Sequence, residues 1–177
     1  MSWMLFYFLI SEVIVRFMVG STILSIIIML IITFAFYIIA ITVISKKFNQ
    51  IHIDITAALY FILVMGLTFF KSSYSYAAFN FNPLSIINDF RHYFNHALLI
   101  SISNIIIYLP LGIYTKSKIK LSNRKFLFIY LIYIFFVESI QSITHSGVFD
   151  VNDIITNTIG FYLGVLCCDP VINYFTK

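Results

Sequence analysis

Residues 126–143 read FLFIYLIYIFFVESIQSI, an apolar and aromatic run from Phe126 to Val137 that then admits Glu138 and Gln141. At about 1.5 Å per helical residue this stretch is about 27 Å long, close to the roughly 30 Å hydrocarbon core of a bilayer. A helix that is apolar on every side is either a core helix of a large protein or a membrane span. In a chain of 177 residues the second reading is the economical one.

The neighbouring sequence repeats the pattern. Downstream, a turn of about six residues leads to a helix that starts near Asp150 and stays apolar through Cys168, with Asp169 and Pro170 marking a break. Upstream, residues 93–113 follow the polar stretch Asn88, Asp89, Arg91, His92. Residues 55–70 lie between Asp54 and Lys71 and need both charges to snorkel outward, being only about 24 Å long. Residues 22–44 form a long uncharged run ended by Lys46 and Lys47. In residues 1–19, Glu12 and Arg16 at i,i+4 pair on one helix face, so this segment either spans or lies at the interface, with a break at Gly20 and Ser21. The expected fold class is all-α: a polytopic transmembrane bundle of five spanning helices plus that N-terminal helix. Residues 1–45 are read as N-terminal membrane helices and 46–177 as the main transmembrane domain.

Composition agrees. The chain is 61% hydrophobic, 19% aromatic and only 10% charged, with a mean hydropathy of +0.99. A soluble domain carries about 25% charged residues, so a water-soluble monomer is excluded. The net charge of +4 does not point to nucleic acid, because the basic residues fall between apolar runs, as topology signals do. Placing Lys46, Lys47, Lys116, Lys118, Lys120, Arg124, Lys125 and Lys177 inside leaves Lys71 and Arg91 outside, with Arg16 unassigned. The 116–125 loop and the C-terminus are thus expected in the cytoplasm, and the 71–92 and 144–152 connections on the outer face. Cys167 and Cys168 are too few for a disulfide framework and read as small apolar fillers. With Glu12 and Arg16 inside its apolar stretch, the N-terminus is not read as a removable signal peptide.

Polar groups inside apolar helices are expensive and mark function. Glu138 and Gln141, three apart, share a helix face; Asp150, Asp153 and Asn157, at i, i+3 and i+7, line one stripe at the start of the last helix. Because so short a turn joins the two helices, the two polar faces are expected to be adjacent. Asp150 also suits a helix N-cap. His92 and His96 have the i,i+4 spacing of metal ligands, and with Asp89 or Asp153 would complete a site. Pro110 and Gly112 kink the helix from 93 or mark its end, and Asn104 supplies either a bond to backbone freed there or an interhelix polar contact. Glycine-rich phosphate loops, Gly-x-Ser-x-Gly and His-Glu-x-x-His are all missing from the sequence.

The segments Asn104-Ile-Ile-Ile-Tyr-Leu-Pro110-Leu-Gly112, Glu138-Ser-Ile-Gln141 and Phe149-Asp150-Val-Asn-Asp153-Ile-Ile-Thr-Asn157-Thr158-Ile-Gly160-Phe-Tyr-Leu-Gly164 resemble, in order and spacing, the VanZ-like family. Asn82-Pro83-Leu84 resembles an outer-loop element of the same family, and the match covers roughly residues 55–165. Many members carry an arginine just ahead of the aspartate motif, where this chain has His145-Ser146-Gly147-Val148. The resemblance implies a small multi-pass protein of the bacterial plasma membrane with a role in low-level resistance to the lipid-tailed glycopeptide teicoplanin.

The reading taken is a non-enzymatic envelope protein with an outer-face polar pocket whose ligand candidates are Asn104, Glu138, Gln141, Asp150, Asp153, Asn157, His92, His96 and Arg91. Its partners would be membrane lipids and a lipid-linked wall precursor or lipoglycopeptide, with Pro110, Gly112, Gly160 and Gly164 as structural positions. The alternative is a membrane-embedded enzyme acting on a lipid-linked phosphate or sugar, with Glu138 as acid or base and a divalent cation on Asp150 and Asp153. No cofactor is expected otherwise. A transporter using protonatable Glu138, or a purely structural cluster, complete the alternatives.

Overall fold

The computed structural model describes residues 50–69 and 78–175, so the expected span at 22–44 and the segment 1–19 lie outside the described residues. The chain divides into two compact units, residues 1–73 and 74–177.

In the first unit the described element is α1, Gln50–Phe69. It begins upstream of the expected start at 55, because Gln50 and Asp54 are compatible with a polar first turn: Gln50 Nε2 donates to Asp54 Oδ1 at 3.3 Å, and Thr56 Oγ1 returns to His52 O at 2.8 Å. Its apolar part, Gln50–Gly66, is shorter than the long apolar helices of the second unit.

The second unit runs β1 (Ala78–Asn80), α2 (Ser85–His92), α3 (Phe94–Lys118), α4 (Asn123–Ile143), β2 (Val148–Asp150) and α5 (Val151–Phe175). Three helices here are long and apolar enough to cross a membrane: Phe94–Lys118, Asn123–Ile143 and the Val151–Asp169 part of α5. The all-α expectation is corrected in one detail, since β1 and β2 pair in parallel with Phe79 opposite Phe149 and Asn80 opposite Asp150. Buried Phe149 anchors this pairing, its ring 6.1 Å from Phe79, 5.2 Å from Phe81 and 5.6 Å from Phe135. Ser142 Oγ on α4 donates to Ala78 O at 2.8 Å, which fastens β1 to the end of α4.

The bundle is tightest between α3 and α5. A Cβ placed on Gly112 would strike the backbone of Phe161 and come within 3.0 Å of Gly164 Cα; on Gly160 it would strike Ile105, and on Gly164, Leu109. The two backbones therefore approach through small residues, the packing that lipid-embedded helices favour because apolar side chains gain nothing by leaving lipid. Pro110 does not end its helix: α3 continues through it to Lys118. Helix α4 joins the pair through an aromatic layer in which Tyr130 stacks on Phe161 (centroids 4.0 Å apart, planes 7° apart) and meets Tyr108 edge-on at 5.9 Å. Ile134, Val137 and Val165 fill the same interior. On the outer side of α4, Phe128, Ile132, Phe135 and Phe136 are exposed. Such a row would be a liability in water and is the ordinary surface of a lipid-facing helix.

Candidate functional site

The end of the bundle that carries β1 and β2, here the strand end, gathers the polar side chains in two tiers. The upper tier is a hydrogen-bonded knot. Asp150, at the entrance to α5, accepts from Asn152 N at 2.8 Å through Oδ1 and from Asn80 Nδ2 at 3.1 Å through Oδ2. Ser85 Oγ accepts from Asn80 Nδ2 at 2.9 Å and Asn152 Nδ2 at 2.6 Å, and donates to Asn82 O at 2.8 Å. Asn82 Oδ1 in turn accepts from Leu84 N at 3.0 Å, so the Asn82-Pro83-Leu84 element starts α2. Asp150 thus serves as a cap, satisfying a first-turn N–H that has no intrahelical partner.

The lower tier lies within the three helices. Asn104 Nδ2 on α3 donates to Asp153 Oδ1 at 2.8 Å and to Thr156 Oγ1 at 3.2 Å, both on α5. Thr156 directs its own hydroxyl to Asn152 O at 3.0 Å, which leaves its lone pairs for Asn104. Glu138 and Gln141 on α4 and Asn157 on α5 are buried, at 3%, 3% and 4% exposure. Glu138 stands five residues before the end of α4, and Asn157 six residues beyond the start of α5, so both lie about 8–9 Å below the strand end. Asn157 shares the α5 face of Asp153 and precedes Phe161 by one turn, which places it between the contact with α3 and the aromatic layer. Asn157 Oδ1 and the neighbouring Thr158 Oγ1 are buried without a hydrogen-bond partner among the described residues. Buried polar atoms left in that condition cost about 1–3 kcal/mol each, and such a site gains from any group that satisfies them.

The turn from α4 to β2 closes this tier. His145 N bonds to Ser142 O at 3.2 Å and Ser146 N to Gln141 O at 2.9 Å, a Schellman closure that puts His145 at φ 59°, where glycine is usual. Gly147 then passes directly over Gln141: a Cβ there would lie 3.5 Å from Gln141 Nε2.

The structure brings Asn104 and Asp153 into direct contact and buries Glu138, Gln141 and Asn157 in the same bundle. It sends Asp150 to the knot instead. The histidine pair is corrected: His92 ends α2, the backbone leaves the helical region at Tyr93 (φ −139°, ψ 50°), and His96 belongs to α3, so the i,i+4 face does not form. His92, His96 and Arg91 are exposed. Among the described residues, no three His, Cys, Asp or Glu side chains gather as a metal site, and Asp150 and Asp153 turn to different partners. Five contributors were not foreseen: Asn80, Ser85, Ser142, Asn152 and Thr156. Asn80 carried a weak signal, the repeated asparagines of Asn80-Phe81-Asn82, whereas Asn152 falls off the aspartate stripe and shows none.

A family profile described as VanZ/LLP1 matches residues 57–173, which include α2 to α4 and both strands. The chain is also 33% identical over 118 residues to Protein VanZ of Enterococcus faecium, a match covering 61% of this chain and 68% of that protein. No solved structure matches it. Two-thirds of the chain, including every residue of the lower tier, falls inside the profile match, and the chain belongs to the VanZ/LLP1 family.

Proposed function

We propose that this VanZ-type membrane protein lowers the effect of lipid-tailed glycopeptides such as teicoplanin by binding an amphiphile at the outer leaflet, and that the strand-end lower tier is its site. The observation that carries the reading is the burial of Glu138, Gln141 and Asn157 beside the Asn104–Asp153 contact inside an apolar bundle. A carboxyl group within a lipid-embedded helix is expensive, and such ionisable residues mark binding or transfer sites. The ligand is a lipid-linked wall precursor or the lipoglycopeptide itself, with its headgroup against the polar side chains and its chain along the apolar flanks. In this reading the strand end faces outward and the Lys116–Lys125 turn faces the cytoplasm, which the positive-inside distribution supports.

The test is drug susceptibility of a sensitive Gram-positive host expressing the wild type, Glu138→Gln or Asp153→Asn at matched membrane levels. Protection against the lipid-tailed glycopeptide is expected from the wild type, with at least about a tenfold loss of binding in each variant if one charge-assisted hydrogen bond of about 1.5–3 kcal/mol is removed. Equal protection against tailed and tail-less drugs, or none from well-expressed wild type, would refute the proposal.

A further inference from the structure

Between Asp89 and Glu138 the chain has no acidic residue, yet it carries Lys116, Lys118, Lys120, Arg124 and Lys125 within ten positions. The structure divides these cations into two kinds. Lys116 is spent on the turn: its Nζ donates to Leu121 O at 3.0 Å and Asn123 Oδ1 at 2.9 Å, and stands 5.3 Å from the Phe126 ring centroid. These contacts fix the backbone between α3 and α4. Lys118, Lys120, Arg124 and Lys125 are exposed, Lys118 with its Nζ 5.7 Å from the Tyr114 ring centroid. Asp169 is the carboxylate that α5 brings toward the same end among the described residues.

The apolar surface runs into this patch without interruption. Ile119, in extended backbone between two lysines, is 49% exposed, and Phe128 and Ile129 on the first turns of α4 are also exposed. Cationic side chains directly above exposed aliphatic and aromatic ones form an amphipathic surface. Nucleic acid or an acidic peptide would use the charge and leave the apolar part uncovered; a phospholipid uses both.

We propose that the Lys116–Lys125 turn is a docking surface for anionic phospholipid headgroups, gripped by Lys118, Lys120, Arg124 and Lys125 while Lys116 holds the turn in shape. Because the backbone is already ordered by Lys116, lipid binding costs little further conformational entropy. Each basic side chain near an anionic leaflet contributes about 1 kcal/mol, or about a fivefold change in affinity, and the attraction falls off within a Debye length.

The experiment reconstitutes the full chain in nanodiscs of phosphatidylcholine mixed with phosphatidylglycerol and reads the lipids retained on the released protein by native mass spectrometry. Phosphatidylglycerol is expected to be retained at least about fivefold over phosphatidylcholine at low salt, with the preference shrinking as ionic strength rises. Lys118→Gln/Lys120→Gln/Arg124→Gln/Lys125→Gln together should abolish it. Lys116→Met should instead lower the unfolding temperature equally in both lipids. Equal retention of the two lipids at every salt concentration overturns the proposal, as does an unchanged preference in the quadruple variant. The wild-type salt series decides the matter even where that variant fails to fold. Stronger binding of single-stranded DNA or polyglutamate than of phosphatidylglycerol would also overturn it.

Discussion

His145 occupies a conformation in which an L side chain brings its Cβ against the following carbonyl, at a cost of about 1–2 kcal/mol for an ordinary residue. The position is over-determined by the turn. Gln141 O accepts from Ser146 N at 2.9 Å and Gly147 N at 3.2 Å, and this closure leaves no other φ for the residue between Thr144 and Ser146. Histidine is among the residues that tolerate the left-handed region, but glycine occupies it without penalty. His145→Gly is therefore expected to raise stability by about 0.5–1 kcal/mol, seen as a higher unfolding temperature in detergent, whereas His145→Ala, which keeps the Cβ, should not. Equal effects of the two substitutions would show that backbone strain is not the source. At this scale the sequence was informative where a residue's chemistry was costly. Glu138 and Gln141 stand out in an apolar run and are buried, and Asn104 makes an interhelix contact, one of the two roles its position allowed. Asn152 could not be found that way, because its amide is spent on Ser85, 67 positions away in the chain, and sequence spacing carries no trace of that contact.

At the scale of elements, α3 and α5 are held by three glycines that admit no side chain. On Gly160 the obstructing atoms are the Cα, C and O of Ile105, all backbone, so no rotamer change can make room. Gly160→Ala should force the helices apart and cost about 1–3 kcal/mol, the usual penalty of overpacking. Among the described residues, Gly66 on α1 meets nothing within 4 Å, and Gly66→Ala should cost nothing or stabilise slightly through helix propensity. Comparing the two unfolding temperatures checks this; a loss of similar size at both positions would mean that glycine's backbone freedom, rather than close approach, is what matters. The long helices were legible because apolar length is a property of one segment. The 126–143 run lies wholly within α4, Asn123–Ile143. The strands were not legible: three residues each, they exist because Phe149 brings Phe79 and Phe81 together, a pairing across 70 positions. The span was expected from residue 93 and α3 begins at Phe94; what stayed hidden was α2 ahead of it, whose turn at Tyr93 takes His92 off the face of His96, since nothing in Arg91-His92-Tyr93-Phe94 is a helix breaker.

For the molecule as a whole, the distribution of charge and the length of α4 together define a transverse arrangement. Helix α4 has 21 residues and is about 31 Å long, a bilayer thickness, so its two ends reach opposite faces if it spans upright. The exposed cations cluster at its start and the buried carboxyl and amide groups lie near its end. Translocating four exposed cations across the membrane is the costlier orientation, and the proposed function accordingly puts the Lys116–Lys125 turn on the cytoplasmic side. This can be tested with single cysteines in a background where Cys167 and Cys168 are replaced by serine. Thr144→Cys, exposed at the strand end, should react with a membrane-impermeant maleimide in intact cells, and Lys120→Cys only after the cells are opened. The reverse pattern would place the lower tier at the inner leaflet. There a lipid-tailed glycopeptide acting from outside could not reach it, and the proposed role would have to be abandoned even with the fold and every side-chain contact intact.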